Sequence, residues 1–214
     1  MNAPMPEDPF APEIFFSRAA VRLLSDPPAN GADQAGDHRL NPTYVPPPEL
    51  HFIDAAVLVP VVARRPQASV ILTQRTAALK SHSGQIAFPG GKIAPEDSGP
   101  AAAAIRETEE EIGLSPRLIT PVGYLDAYLT GTGYRVVPVV ARVEPDHPFA
   151  PNPDEVDAVF EVPLPFLMTP GNHRVGSREF RGVLRHFYEV PFEDRYIWGV
   201  TAGIIRGLYE RIYG

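Results

Sequence analysis

Twenty-six of the 214 residues are proline, about 12% where an average chain has near 5%, and that share forces much of the chain into loops and short elements. The prolines cluster. From Asp26 to Leu50 the segment DPPANGADQAGDHRLNPTYVPPPEL has few periodic apolar positions and reads as a linker or a surface-hugging loop. Regular structure must come from what lies between the clusters.

The middle of the chain reads as strands. Ile53 to Val62 and Ala68 to Thr73 are short β-branched runs joined by ARRPQ, a polar, proline-containing connection that suggests a hairpin. Tyr134 to Val143, Val156 to Val162 and the alternating LRHFYEV from Leu184 to Val190 read as further strands, with Glu144 to Pro153 as a proline-rich loop. Ile14 to Leu24 suits a short helix. The clearest helix opens at Pro100, runs through alanines of high helix propensity and stops at Gly113. From Val200 to Tyr213, Ile204, Ile205, Leu208 and Ile212 recur at helical spacing, so that apolar face should pack on the sheet. Strands on both sides of one helix, with a second helix at the end, predict an α+β fold with a mixed sheet covered on both faces.

Length and 44% hydrophobic content suit one substantial core. The first residues lack a basic start and an apolar block, and there is no cysteine, so a cytoplasmic protein is expected. The longest apolar stretch, Ala55 to Ala63, falls far short of the ~20 residues that span a bilayer, and no membrane partner is expected. A formal charge of -7 argues against binding a nucleic-acid polymer. A small anion remains open, because a metal ion and local cations can reverse the field inside a site. Arg64, Arg65, Arg75, Lys80, Lys92 and Arg106 fall in one part of the chain.

Residues three and four apart on a helix share a face, so Glu107, Glu110 and Glu111 are expected to gather three carboxylates. Such a cluster is either a solvated acidic face or a site for a hard cation, Mg²⁺ or Mn²⁺, which prefers carboxylate oxygen. Upstream, FPGGK supplies Gly90 and Gly91, where backbone can approach a ligand closely.

With these residues in view, the sequence resembles the Nudix family, whose signature is G, five residues, E, seven residues, RE, an aliphatic residue, any residue, EE, any residue, G, aliphatic. Arg106, Glu107, Glu110, Glu111, Gly113 and Leu114 match its second half in register. Thr108 stands where an aliphatic residue is usual, and the spacing from Gly91 to Arg106 is one residue longer, so Glu96 or Asp97 replaces the first glutamate; by distance Asp97 fits better. The preceding LTQRTAALKSHSGQIAFPGG, Leu72 to Gly91, resembles LLTxRxxxLxxHxGQxxFPGG of the coenzyme A pyrophosphatase branch, which shares the longer loop. PNPDEVDAVFEVPL and the IWG before the last helix continue the likeness.

The resemblance implies a Nudix-type α/β/α sandwich over 51–214, with 1–50 as an N-terminal helix and proline-rich extension packed on or linked to it. It implies that Glu107, Glu110 and Glu111 ligate Mg²⁺ or Mn²⁺ with the carbonyl of Gly91, and that Arg106 orients a neighbouring carboxylate. Glu110 and Glu155 are candidates for the base; an exposed loop acid is the alternative for Glu155. Arg75, His82 and Gln85 would contact the substrate, and Trp198 is expected in the core. The implied reaction is hydrolysis of coenzyme A or acyl-CoA to 3′,5′-ADP and 4′-phosphopantetheine derivatives. A Nudix hydrolase of ADP-ribose, nucleotide sugars or dinucleoside polyphosphates, or a non-catalytic nucleotide sensor, are the alternatives, and a homodimer is compatible with each.

Overall fold

The structure, a computed structural model, describes residues 8–29, 31, 34–43, 51–78, 83–180 and 182–214, with Phe180 by its backbone only. Lys80 and His82 lie outside the described residues. In chain order the elements are α1 (Pro12–Arg22), β1 (Ala35–Gly36), β2 (Ile53–Val62), β3 (Ser69–Arg75), β4 (Ile86–Ala87), β5 (Gly90–Lys92), α2 (Pro100–Ile112), β6 (Ile119–Tyr124), β7 (Tyr128–Leu129) and β8 (Tyr134–Val143). They continue with β9 (Val156–Pro163), α3 (Leu164–Leu167), β10 (Arg174–Phe180), β11 (Val183–Phe192), β12 (Arg195–Trp198) and α4 (Val200–Ile212).

β2 organises the larger, mixed sheet. It runs parallel to β8 along its whole length, from Ile53 beside Tyr134 to Val62 beside Val143. Its other edge is shared: β5 pairs antiparallel with Ala55–Val57, and β3 with Val61 and Val62, closing the expected hairpin. Pro60 falls between those two partners. The N–H of Leu58 points to that edge, donating to Pro89, so the N–H that Pro60 lacks is one no partner strand would have used.

Side chains alternate across a strand, and β2 divides the interior accordingly. Ala55, Val59 and Val61 face a core shared with Phe15 and Ala19 of α1 and Ile204, Ile205, Leu208 and Ile212 of α4. Ala56, Leu58 and Val62 face a second core with Ala103, Ala104 and Ile112 of α2. The sheet is therefore covered by helices on both faces, the α+β sandwich the sequence predicts. No described helix is long and apolar enough to cross a membrane.

Several elements differ from the sequence reading. Leu184–Val190 is part of a longer β11, which belongs to a separate antiparallel sheet of β10, β11 and β12. Trp198 is not in the core: it is half-buried on the outer face of that sheet, edge-on to Phe187 at 5.3 Å and stacked on Tyr196 at 6.3 Å. Its side chain alternates with Ile197, which takes the inward position. The described part of the 26–50 segment hugs the domain: Arg135 donates to the Pro28 carbonyl, β1 pairs with β7, and Asn41 exchanges two hydrogen bonds with the His186 backbone at 2.8 and 2.9 Å.

Two predictions follow from this packing. Phe15 is fully buried in the core beneath α4, so Phe15→Ala should cost about 3–5 kcal/mol of stability in urea denaturation; an unchanged midpoint would mean that α1 contributes nothing to cooperative unfolding. Glu161 of β9 accepts hydrogen bonds from Arg64 at 2.7 and 2.8 Å and from Ser69. Burial alone would push its carboxyl up, but those bonds outweigh burial and hold it below the ordinary glutamate range. The stabilisation is present above the unfolded-state pKa and lost as pH falls through the lower folded one. Thermal melts should therefore show Glu161→Gln well below wild type near neutral pH, the gap closing below about pH 4.

Candidate active site

The site is built where β5 meets α2. Pro100 sits in the first turn of the helix, and Gly113 ends it in the left-handed conformation with φ of 68°. Beyond Gly113 the loop before β9 docks on the helix end: the N–H groups of Asn152 and Ala150 donate to the carbonyls of Glu111 and Ile112 at 2.9 and 2.8 Å. Two carbonyls left free by the end of the helix are thereby satisfied. Gly91 lies so close to α2 that a Cβ on it would collide with the carboxyl of Glu107.

The three helix glutamates share a flank and then diverge, because neighbours on a helix are about 100° apart. Glu111 turns inward and is buried, its carboxylate accepting the N–H of Gly90 at 3.2 Å. Glu110 turns out, with 59% of its side chain exposed, and Glu107 lies between, against Gly91. The expected gathering is thus incomplete. Among the described residues no three acids or imidazoles converge on one point; two guanidinium groups stand among the carboxylates.

Arg106 is one of these. It donates to Asp97 at 2.9 and 3.1 Å, to Glu107 at 3.0 Å, to Glu110 at 3.4 Å and to the Lys92 carbonyl at 3.3 Å. It ties the loop after β5 to the helix, and the acid it uses is Asp97, which also accepts the N–H of Ala94 at 2.8 Å. Those bonds, Arg106 first, hold the Asp97 carboxyl below its ordinary range. The second is Arg75, at the irregular end of β3, whose Nη1 stands 3.6 Å from Glu111. Its Nε is buried and has no hydrogen-bond partner in the described structure. Gln85 is placed opposite, its carbonyl accepting the Arg75 N–H at 2.9 Å.

Burial pushes the Glu111 carboxyl up to about 7; the Gly90 N–H and Arg75 pull it down, while Glu155 and Glu107 push it further up. Negative charge is therefore under-compensated here. Glu155, in the loop before β9, is drawn in by Asn152, whose Nδ2 donates to it at 3.2 Å, and by its own carbonyl, which accepts the Thr76 N–H at 2.9 Å. Clefts of about 370 and 340 Å³ lie elsewhere, at Arg64–Ser69 and beside α4, and no residue of α2 lines either. Carboxylate chemistry rather than cavity size singles out this region. Asn152 escaped the sequence reading, since its contacts are mostly through backbone atoms. The junction can be tested at Gly113, where a Cβ would meet that of Ala150 at 2.7 Å. Gly113→Ala should destabilise by more than about 1 kcal/mol in thermal unfolding, since strain from positive φ adds to the clash.

Against known proteins, the NUDIX domain model matches residues 53–181. The uncharacterized Nudix hydrolase NudL of Escherichia coli strain K12 is 43% identical over 163 residues, covering 76% of this chain and 84% of its own length, and NudL of Escherichia coli O7:K1 strain IAI39 matches equally. Among solved structures, DR0079 of Deinococcus radiodurans covers 78% of this chain and 88% of its own at 12% identity and a TM-score of 0.49, too distant to inform the site. The domain match over more than half of the sequence, joined by a 43% identical relative over three quarters of it, makes this chain a member of the Nudix hydrolase family.

Proposed function

We propose that the protein hydrolyses the diphosphate of coenzyme A or acyl-CoA, releasing 3′,5′-ADP and 4′-phosphopantetheine or its acyl derivative. The observation that carries this reading is the course of the Leu72–Gly91 segment, which resembles the coenzyme A pyrophosphatase motif. Its described parts bring Arg75 to Glu111 and end with Gly90 and Gly91 against Glu111 and Glu107. In this reading the catalytic domain spans 51–214, with 1–50 as an extension.

Nudix hydrolases use divalent cations such as Mg²⁺, and the donor set here fits one. Glu111 is buried with its charge under-compensated, two more carboxylates raise its proton affinity, and all the donors are hard oxygens. In this assignment Glu107, Glu110, Glu111 and the Gly91 carbonyl would hold Mg²⁺ or Mn²⁺. Once bound, the ion neutralises charge on the diphosphate and acidifies water near neutral pH.

The chain's own groups do the rest. Glu155 accepts a proton from the attacking water as the new P–O bond forms and the P–O–P bridge breaks, leaving two phosphate monoesters. Glu110 is the other candidate for the base, but Glu155 is favoured because its charge is felt by Glu111 and Arg106 donates to Glu110. Arg106 holds Glu107 and Glu110 while Asp97 anchors it. Arg75 and Gln85 are assigned to the substrate's phosphates or to its nucleotide and pantetheine parts, together with His82.

Rates on coenzyme A and ADP-ribose with Mg²⁺ and Mn²⁺, with products identified by mass, test the assignment. Coenzyme A should be turned over faster, to products of the stated masses, and a wide margin for ADP-ribose would refute the narrower reading. Glu110→Gln should cut kcat roughly 100-fold or more with the melting temperature nearly unchanged. If wild type hydrolysed no diphosphate and the variant bound one unchanged, the protein would be a sensor.

A further inference from the structure

We infer that Asn152 is a positioning residue for Glu155, fixing its carboxylate relative to the end of α2. The inference rests on Glu155 as the base, the reading proposed above.

Asn152 uses every polar group it has. Its N–H donates to the Glu111 carbonyl at 2.9 Å, and its own carbonyl accepts the N–H of Glu155 at 3.0 Å and of Val156 at 2.8 Å. Its side-chain Oδ1 accepts the Asp154 N–H at 3.1 Å, an Asx turn, while Nδ2 donates to Glu155 Oε1 at 3.2 Å. One residue thus ties the backbone of the inward-facing helix glutamate to the side chain of the acid across from it. Pro151 and Pro153 flank it and restrict its backbone further. A residue needed only to form the turn would use Oδ1 and leave Nδ2 to solvent. Here Nδ2 holds one Glu155 oxygen and leaves the other to take a proton.

The two atoms of the Asn152 amide separate positioning from folding. Asn152→Asp keeps the turn acceptor but replaces the donor with an oxygen facing Glu155, whereas Asn152→Ala removes both. These variants, Glu155→Gln and the double variant Asn152→Ala/Glu155→Gln are assayed for kcat, KM and melting temperature with Mg²⁺ on whichever of coenzyme A and ADP-ribose wild type hydrolyses faster. Glu155→Gln should lose roughly 100-fold or more in kcat. Asn152→Ala and Asn152→Asp should each lose about 10- to 100-fold in kcat, with KM changed less than about threefold. The double variant should be no slower than Glu155→Gln, because a positioning residue has no effect once its target is gone.

Wild-type kcat in Asn152→Asp would overturn the inference while leaving the base assignment intact, since the turn alone would then be what matters. A double variant slower than Glu155→Gln by the full Asn152→Ala factor would also overturn it. Wild-type kcat in Glu155→Gln would remove the base assignment and this inference together.

Discussion

Glu111 carries a carboxylate into the joint between α2 and β5, and the geometry around it follows from that burial. An ionised carboxyl taken out of water is costly unless it is hydrogen-bonded or paired. The joint supplies one backbone N–H from Gly90 and a guanidinium at 3.6 Å from Arg75. Both partners are needed, and both come from the strand system rather than from the helix. Holding them there places β5 against α2, with the carboxyl of Glu107 lying over Gly91 where a Cβ would otherwise stand. Even so, compensation is partial, and the proton affinity of Glu111 stays high. An apolar residue would fill this place with less cost to folding; a carboxylate here makes sense as a ligand to a cation, which is why the proposed metal set is centred on it.

The guanidinium groups complete that logic. Arg106 bonds to three carboxylates and one carbonyl, so it offsets the mutual repulsion of Asp97, Glu107 and Glu110. Its planar fork suits several acceptors at once, as a lysine would not. Arg75 plays a similar part from the other side, but with its Nε unpaired. In the proposed reaction they have distinct tasks: Arg106 stays with its carboxylates, and Arg75 stands beside Glu111 at the end of β3, on the side assigned to the substrate.

Much of this was legible in the sequence, for reasons that can be named. β2 and β8 match their apolar runs end to end, because a strand buried on both faces is written as a continuous β-branched stretch. α2 was bracketed by Pro100 and Gly113, whose conformational restrictions act locally. β6 was missed: Pro121 and Gly123 interrupt it at a register shift and hide the alternation. β10, reading RVGSREF, lies at the edge of a small sheet with little apolar periodicity to mark it. Trp198 was misplaced because size and hydrophobicity give burial tendency but not which face of a strand a side chain takes. At the site, spacing identified the glutamates, yet which one turns inward depends on where β5 lies, and the encounter of Arg75 with Glu111 joins residues from separate elements.

Asn152 marks the deeper limit. Glu155 stands out in a sequence as an acid before a strand, but what makes it different from an exposed loop acid is the loop's attachment to the end of α2. That attachment is made by backbone donors meeting the carbonyls that the helix leaves free, and backbone donors are common to almost every residue type. Gly113 is a position where the attachment leaves a trace in the sequence, because there a side chain would both strain the backbone and strike Ala150. The glycine that closes the helix thus does two things at once: it ends α2, and it clears the surface on which the Glu155 loop is seated. The family signature and the placement of the proposed base therefore share a physical cause.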